Sequence, residues 1–257
     1  MPRYNRRQFL EIAAAGSGAF ATACSLDVPA PRLFTQADAT IAARPVAPTL
    51  TPTVGYSALG LTTPRDGFLY VPTTYNAATP APLLVLLHPN ASSASFWENY
   101  KIGELLNDLG VVILAPDSRL TSWDILADRG YAQDPAFFNV ALQYTFRRCN
   151  INPSRIAIAG FSDGAIEALG VGLANGGLFS HVMAYSPGAL AAPWQQGKPK
   201  CFISHGQADN VVSFAFSRDF IAQKLTDFVY DVTFVPFLGG HEIPSTIARQ
   251  SAQWFLA

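Results

Sequence analysis

The chain has 257 residues, of which 49% are hydrophobic and 14% charged, and its formal net charge is −1. This composition supplies a large buried core, excludes global disorder and suits a single α/β domain, and the absence of a basic block argues against a nucleic-acid partner. The three widely spaced cysteines form no C-x-x-C and the four histidines are scattered, so neither a disulfide framework nor a metal site is indicated.

The N-terminus has the pattern of an export signal. Asn5-Arg6-Arg7-Gln8-Phe9-Leu10 is a twin-arginine sequence, and the apolar run that follows it to Ala23 is too short to span a membrane. Ala21-Thr22-Ala23 matches an A-x-A cleavage site, and Cys24 directly after it resembles a lipoprotein attachment cysteine. We expect residues 1–23 to be the signal, with the mature protein periplasmic, secreted or attached to a membrane surface through a lipid on Cys24.

The next stretch is rich in Pro, Ala and Thr and has no helical or strand period. We interpret residues 24–47 as a tether and residues 48–257 as the folded domain. An early strand is predicted within 65–72, and the continuous apolar run 82–88 is typical of a strand buried on both faces. A helix over 95–109, ended by Gly110, and a second buried strand over 111–115 follow.

The middle of the chain holds a sharp turn between a strand and a helix. Residues 120–133 are predicted as a loop, and Asp134 followed by Pro135 begins a helix that runs to about residue 148. The apolar strand 155–160 then leads into Gly160-Phe161-Ser162-Asp163-Gly164, and residues 165–174 are helical by composition. A G-x-S-x-G between a strand and a helix predicts a nucleophile elbow that exposes the Ser162 hydroxyl.

The rest of the chain continues the alternation of strands and helices. Strands are predicted at 181–186, 201–205 and 231–237, with helices at 213–228 and 244–255. This order predicts a mostly parallel sheet with helices on both faces, in one domain. Sites in such sheets form at the carboxyl ends of the strands, where this sequence places His88, Asp117, Ser162, Asp209 and His241.

Three of these residues predict nucleophilic catalysis. A serine hydroxyl attacks well only when a base takes its proton, and a carboxylate then orients that base. Ser162, Asp209 and His241 occur in the chain order serine, acid, histidine. His241 is favoured as the base because it lies on a loop between the last strand and the last helix. Asp209 is favoured as the acid, although Asp117 and Asp124 lie at the same edge.

Ester cleavage also needs donors for the developing oxyanion. One is expected from the backbone N–H of Asp163, directly after the nucleophile. The second should come from the loop after residue 88. Pro89 has no N–H, so the N–H of Asn90 is the best candidate, with Ala91 as a further contributor.

Taken together, these blocks resemble the esterase branch of the α/β-hydrolases, called phospholipase/carboxylesterase-like, polyhydroxybutyrate depolymerase-like or dienelactone hydrolase-like. The resemblance covers about residues 48–254 and rests on the blocks at 65–72, 84–90, 115–124, 160–165, 204–209 and 239–241. It implies the α/β-hydrolase fold and a serine hydrolase acting on small or polymeric carboxylic esters without metal or organic cofactor. The chain departs from the family at the oxyanion loop, where Pro89 replaces the usual glycine.

Several alternatives stay open at this point. The aromatic residues near the strand ends, Trp97 and Trp123 among them, are candidates for a substrate pocket, although a packing role for Trp123 and a core or rim position for Trp97 are favoured. A depolymerase or lipase acting on polyesters or long-chain esters is one alternative function. A non-catalytic surface lipoprotein that keeps the scaffold as a binding module is another. The sequence decides neither the oligomeric state nor a bond between Cys149 and Cys201.

Overall fold

A computed structural model describes residues 36, 38–127, 133–192 and 194–257. The predicted export signal and Cys24 lie outside these ranges. No helix within the described ranges is both long enough and apolar enough to cross a membrane.

The described part of the chain forms one eight-stranded sheet. Its strands are β1 (Gly55–Ala58), β2 (Gly67–Val71), β3 (Ala81–Leu87), β4 (Val112–Pro116), β5 (Ile151–Phe161), β6 (His181–Tyr185), β7 (Lys200–Gly206) and β8 (Val232–Phe237). The spatial order is β1-β2-β4-β3-β5-β6-β7-β8. The β1–β2 and β2–β4 pairs are antiparallel, and the other neighbours are parallel. The predicted mostly parallel sheet is therefore confirmed.

Helices cover both faces of the sheet. They are α1 (Ser95–Asn99), α2 (Ile102–Leu106), α3 (Asp124–Ala127), α4 (Asp134–Phe146), α5 (Asp163–Ala174), α6 (Phe214–Phe216), α7 (Gln223–Asp227) and α8 (Ser245–Leu256). Side chains of α4, α5 and α7 contribute to one apolar cluster, and side chains of α1, α2 and α8 to the other. Strand β3 serves both clusters, since Leu83, Val85 and Leu87 enter the first and Leu84 and Leu86 the second. This alternation explains the uninterrupted apolar run.

The helix predicted over 95–109 is interrupted. Lys101 has φ 57° between α1 and α2, and a 3-10 turn over Asn107–Leu109 ends the segment. Trp97, Ile102 and Leu106 are all buried. The five-residue step from Trp97 to Ile102 does not fit one helical face, so the break at Lys101 lets all three face the sheet.

Other predicted elements differ in detail. The segment predicted as a loop over 120–133 contains the short helix α3. The helix predicted over 213–228 includes a π turn over Ser217–Ala222 between α6 and α7. Asp134 does not cap its helix; its carboxylate accepts from the backbone N–H groups of Arg119 and Asp124. These contacts tie the first residue of α4 to the loop after β4 and to the start of α3 instead.

Part of the segment predicted to be a tether packs on the domain. Ala39, Ile41 and Ala43 are buried. The backbone N–H of Ile41 donates to Oδ1 of Asn175 at 2.8 Å, and Nδ2 of Asn175 donates to the carbonyl of Ala39 at 2.8 Å. The folded unit therefore includes residues before position 48.

One carboxyl group is buried in the middle of α5. Glu167 is fully buried, and neither carboxylate oxygen has a well-aligned hydrogen-bond partner among the described residues. Burial raises the pKa of Glu167 well above its usual range, and the charges of Asp134 and Asp124 add to the rise, while the nearby backbone N–H of Ile125 opposes it. Burial and Asp124 likewise raise the pKa of Asp134 to about 7. Both groups hold protons in the folded state at pH values where the unfolded chain has released them.

We expect the Glu167→Gln variant to gain stability relative to the wild type as the pH rises from 5 to 8. Above the ordinary carboxyl pKa the native state keeps a proton on Glu167 that the unfolded state has released, so the contribution of this group to the free energy of unfolding falls with pH in the wild type and is absent from the variant. For each unit by which folding raises the pKa of a carboxyl group, the free energy of unfolding is lower by about 1.4 kcal/mol once the pH exceeds the pKa of that group in both the folded and the unfolded state. Urea unfolding at both pH values measures the difference. Glu98→Gln, at an exposed position, is the control, and an equal pH effect in both variants would contradict the account.

Candidate active site

The turn after β5 has the geometry of a nucleophile elbow. Strand β5 ends at Phe161 and helix α5 begins at Asp163, so Ser162 alone makes the turn. Its backbone has φ 55° and ψ −117°, a region that a residue with a side chain adopts only under strain. The Ser162 N–H donates to the carbonyl of Tyr185 at 2.9 Å, and its carbonyl accepts from Ala165 N–H at 2.9 Å. The predicted order of strand, turn and helix is therefore present.

Two glycines allow the backbone at the elbow to pack closely. A Cβ placed on Gly160 would lie 2.0 Å from the carbonyl oxygen of Gly164. A Cβ on Gly164 would lie 2.4 Å from the carbonyl oxygen of Leu87 and 2.6 Å from that of His88. Helix α5 thus approaches the end of β3 closely because neither position carries a side chain.

The Gly164→Ala variant should be destabilised and poorly active. The added methyl group meets backbone atoms that cannot rotate away, and overpacking of this kind costs about 1–3 kcal/mol. Displacement of α5 would also move the Asp163 N–H relative to residues 88–90. Thermal unfolding and ester hydrolysis measure the two effects. Gly177→Ala is the matched control because its Cβ would meet only the Gln196 side chain, at 3.8 Å; equal behaviour of the two variants would count against this packing.

The predicted acid and histidine are hydrogen-bonded to each other. Nδ1 of His241 lies 2.7 Å from Oδ2 of Asp209, whose side chain is completely buried, whereas that of His241 is 16% exposed. Oδ1 of Asp209 accepts from the N–H groups of Val211 at 2.9 Å and Val212 at 2.8 Å. Burial alone would raise the pKa of Asp209, but the bonds from Val212, His241 and Val211 lower it below its usual value. An ionised Asp209 can only accept a hydrogen bond, so Nδ1 of His241 carries the hydrogen. In a neutral His241 ring the free lone pair is then on Nε2.

The His241 ring lies beside the elbow. It packs against the ring of Phe161, the residue before Ser162, with centroids 4.7 Å apart. The loop that carries it is fixed to the loop after β7, where Ala208 N–H donates to the carbonyl of Gly239 at 2.9 Å. The hydrogen bonds among the described residues do not include one between the Ser162 hydroxyl and the His241 ring. In free enzymes such contacts are commonly long and shorten when substrate binds.

Backbone N–H groups are available on both sides of the elbow. Those of Asn90 and Asp163, the two predicted oxyanion donors, have no acceptor within the described chain. The N–H of Ala91, expected as a further contributor, is instead engaged by the carbonyl of Thr121 at 3.0 Å. The role expected of Ala91 is therefore corrected, while Asn90 and Asp163 stay candidates.

Buried polar groups hold the loop that carries Asn90. Nδ1 of His88 donates to the carbonyl of Pro89 at 2.8 Å, and its Nε2 accepts from Ser118 N–H at 3.0 Å. Burial lowers the pKa of His88 to about 4. Arg65 donates to the carbonyl of Ser92 at 2.6 Å. His88 thus serves the loop as a neutral ring, and Arg65 is a supporting residue to which sequence analysis assigned no role, because its partner Ser92 lies far away in the chain.

Trp97 and Trp123, the two candidates for a substrate pocket, are both completely buried. Nε1 of Trp123 donates to the carbonyl of His88 at 2.8 Å, and its ring lies 4.6 Å from the His88 ring. Trp97 packs against Tyr100 and Tyr185. The pocket role is therefore corrected to packing, since neither indole reaches an open surface.

The cysteines and the possible metal ligands among the described residues indicate no second reactive site. Cys149 and Cys201 are free thiols, and burial raises the pKa of each to about 12. Within the described ranges, no group of three or more His, Cys, Asp or Glu side chains is arranged to hold a metal ion. The arrangement around Ser162 is thus the strongest candidate for a reactive site in this part of the chain.

Comparison with known proteins gives a family for part of the chain and a fold for most of it. Residues 136–257 match the family model for phospholipases and carboxylesterases. No curated protein matches the sequence.

Solved structures match over most of the chain. Esterase PE8 is 20% identical, covering 75% of this chain and 98% of its own, with a TM-score of 0.59. An S-formylglutathione hydrolase from Staphylococcus aureus is 17% identical, covering 80% and 100%, with a TM-score of 0.63. The fluorophosphonate-binding serine hydrolase F of the same organism is 17% identical, covering 80% and 100%, with a TM-score of 0.65.

Proposed function

Because this chain has the α/β-hydrolase fold and its residues 136–257 match the phospholipase and carboxylesterase family, we propose that it is a serine hydrolase of carboxylic esters. The three solved structures compared with it are esterases and serine hydrolases by their own descriptions. The observation that carries the proposal is the Asp209–His241 pair beside the strained turn at Ser162.

The first half of the proposed reaction forms an acyl-enzyme. The Ser162 oxygen attacks the ester carbonyl carbon while Nε2 of His241 takes its proton, and Asp209 stabilises the resulting imidazolium. The N–H groups of Asp163 and Asn90 stabilise the negative oxygen of the tetrahedral intermediate. Collapse of this intermediate breaks the bond to the alcohol, which leaves with the proton held by His241.

The second half regenerates the serine. His241 removes a proton from a water molecule, which attacks the acyl carbon. The bond to Ser162 then breaks, the carboxylic acid departs and the serine oxygen recovers its proton from His241. The net reaction consumes one ester and one water and yields one acid and one alcohol, with no metal or cofactor required.

A panel of p-nitrophenyl esters of increasing acyl length tests this function. Hydrolysis of the short-chain esters, with a burst of p-nitrophenol equal to the enzyme concentration, is the expected result where deacylation limits the rate. Absence of hydrolysis of every ester in the panel would overturn the proposal and favour the binding-module alternative.

A preference for apolar or polymeric esters is a second candidate. Leu238, three residues before His241, is 92% exposed, and Val211, two residues after Asp209, is 68% exposed. Exposed large apolar side chains next to a candidate site favour a substrate that presents apolar surface. Faster turnover of emulsified long-chain esters or insoluble polyester than of acetate esters would support this candidate; the reverse order would exclude it.

We also propose that the chain is exported by its twin-arginine signal and that Cys24 is a lipid attachment site. The support is the sequence of residues 5–24. Replacement of Arg6 and Arg7 by lysine should retain the precursor inside the cell. Membrane association that survives Cys24→Ser would exclude the lipid anchor.

A further inference from the structure

Asp209 binds a second histidine besides His241. Nε2 of His205 lies 3.0 Å from Oδ2 of Asp209, the same oxygen that lies 2.7 Å from Nδ1 of His241. The side chains of His205 and Asp209 are both completely buried. The carboxylate is therefore enclosed on all sides, with two backbone N–H groups on Oδ1 and two imidazoles on Oδ2.

The neighbours of His205 locate its proton. Nε2 faces Oδ2 of Asp209 and, at 3.2 Å, the carbonyl of Val212. Both are acceptors, so Nε2 must carry a hydrogen. Nδ1 lies 2.8 Å from the hydroxyl of Ser217, which also lies 2.9 Å from the carbonyl of Pro187, so the single hydroxyl hydrogen goes to one of these two acceptors. Burial lowers the pKa of His205, which favours the neutral ring with its single proton on Nε2. His205 is thus a fixed donor toward Asp209.

This donor has no direct path to a substrate. His205 is the last residue but one of β7 and is completely buried, and its ring nitrogens face Asp209, Val212 and Ser217. Without it, Oδ2 would keep only the bond to His241, and the carboxylate could turn about its Oδ1 contacts. A residue that hydrogen-bonds to a reactive group and orients it commonly affects the reaction rate without contacting the substrate.

We propose that His205 is a positioning residue for ester hydrolysis, whose Nε2–H holds Asp209 in the orientation that accepts Nδ1–H of His241. The inference rests on the proposed function, because it concerns the same reaction. A structural role alone, in which His205 only fills space at the end of β7, is the competing explanation.

Two substitutions separate these roles. The amide nitrogen of glutamine takes the place of Nε2 and can still donate to Asp209, whereas asparagine is too short and can contact only Ser217. We expect His205→Asn to lower kcat by about 10- to 100-fold with KM little changed, by analogy with other orienting partners. His205→Gln should regain most of that loss. Enzyme concentrations are set by the p-nitrophenol burst, and thermal unfolding identifies variants that fail to fold.

A double variant tests the route through Asp209. In an Asp209→Asn background the His205→Asn change should cost nothing further, since the oriented carboxylate is already absent. Equal loss in both backgrounds, or no difference between the asparagine and glutamine variants, would overturn the positioning role. Failure of the wild type to hydrolyse any ester would instead overturn the proposed function, so the two failures are distinguishable.

Discussion

The Ser162→Ala variant is expected to hydrolyse short-chain esters about 10⁶-fold more slowly than the wild type, as for other serine hydrolases that lose their nucleophile. The reason is that no acyl-enzyme can form without the hydroxyl. The N–H groups of Asn90 and Asp163 would remain, so a small residual rate from oxyanion stabilisation is expected. Stability should not fall, because the Ser162 hydroxyl does not cap helix α5 and alanine loses only that group.

Ser186→Ala is the matched control for this experiment. Ser186 also follows a strand of the sheet, has φ 50° and carries a buried hydroxyl without a hydrogen-bond partner. Steady-state hydrolysis of p-nitrophenyl acetate by both variants gives the comparison. Retention of more than a few per cent of the wild-type rate by Ser162→Ala would assign the nucleophile elsewhere.

The His241→Ala variant should lose a comparable factor, about 10⁶-fold in kcat. A serine hydroxyl is not acidic enough to attack an ester unless a base takes its proton, and Nε2 of His241 is the atom assigned that task. The side chain of Asp209 would then be buried without the His241 partner, so a modest loss of stability is also expected.

The double variant Ser162→Ala/His241→Ala shows whether the two residues act as a unit. Their effects should not multiply: the double variant should be about as slow as either single variant, because each alone already abolishes the proton-coupled attack. A rate lower than both single variants by the product of their losses would mean that the residues act independently. Rates must be measured on protein free of wild-type contamination, since traces would dominate at this level.

Local pattern was sufficient to predict the sheet and the elbow. The apolar run before His88 and the strand, turn and helix around Ser162 are each specified by residues close in sequence. The pairing of Asp209 with His241 followed from their place at strand ends, because parallel strands bring those ends to one edge.

Contacts between distant residues could not be predicted in the same way. The bond from Arg65 to Ser92 joins the start of β2 to the loop after β3, and nothing in either segment indicates the other. The break at Lys101 depends on which side chains must reach the sheet. The burial of Trp97 and Trp123 depends on tertiary packing, which a position near a strand end does not determine. Sequence analysis also assigned no role to His205, although its ring contacts Asp209.

Covalent labelling of the intact protein with a fluorophosphonate, followed by peptide mass spectrometry, tests the assignment of Ser162 most directly. The reagent requires an activated serine, so a single adduct on Ser162 is predicted, absent from Ser162→Ala and formed far more slowly in His241→Ala. An adduct on any other serine, or labelling at equal rates with and without the His241 imidazole, would contradict the account.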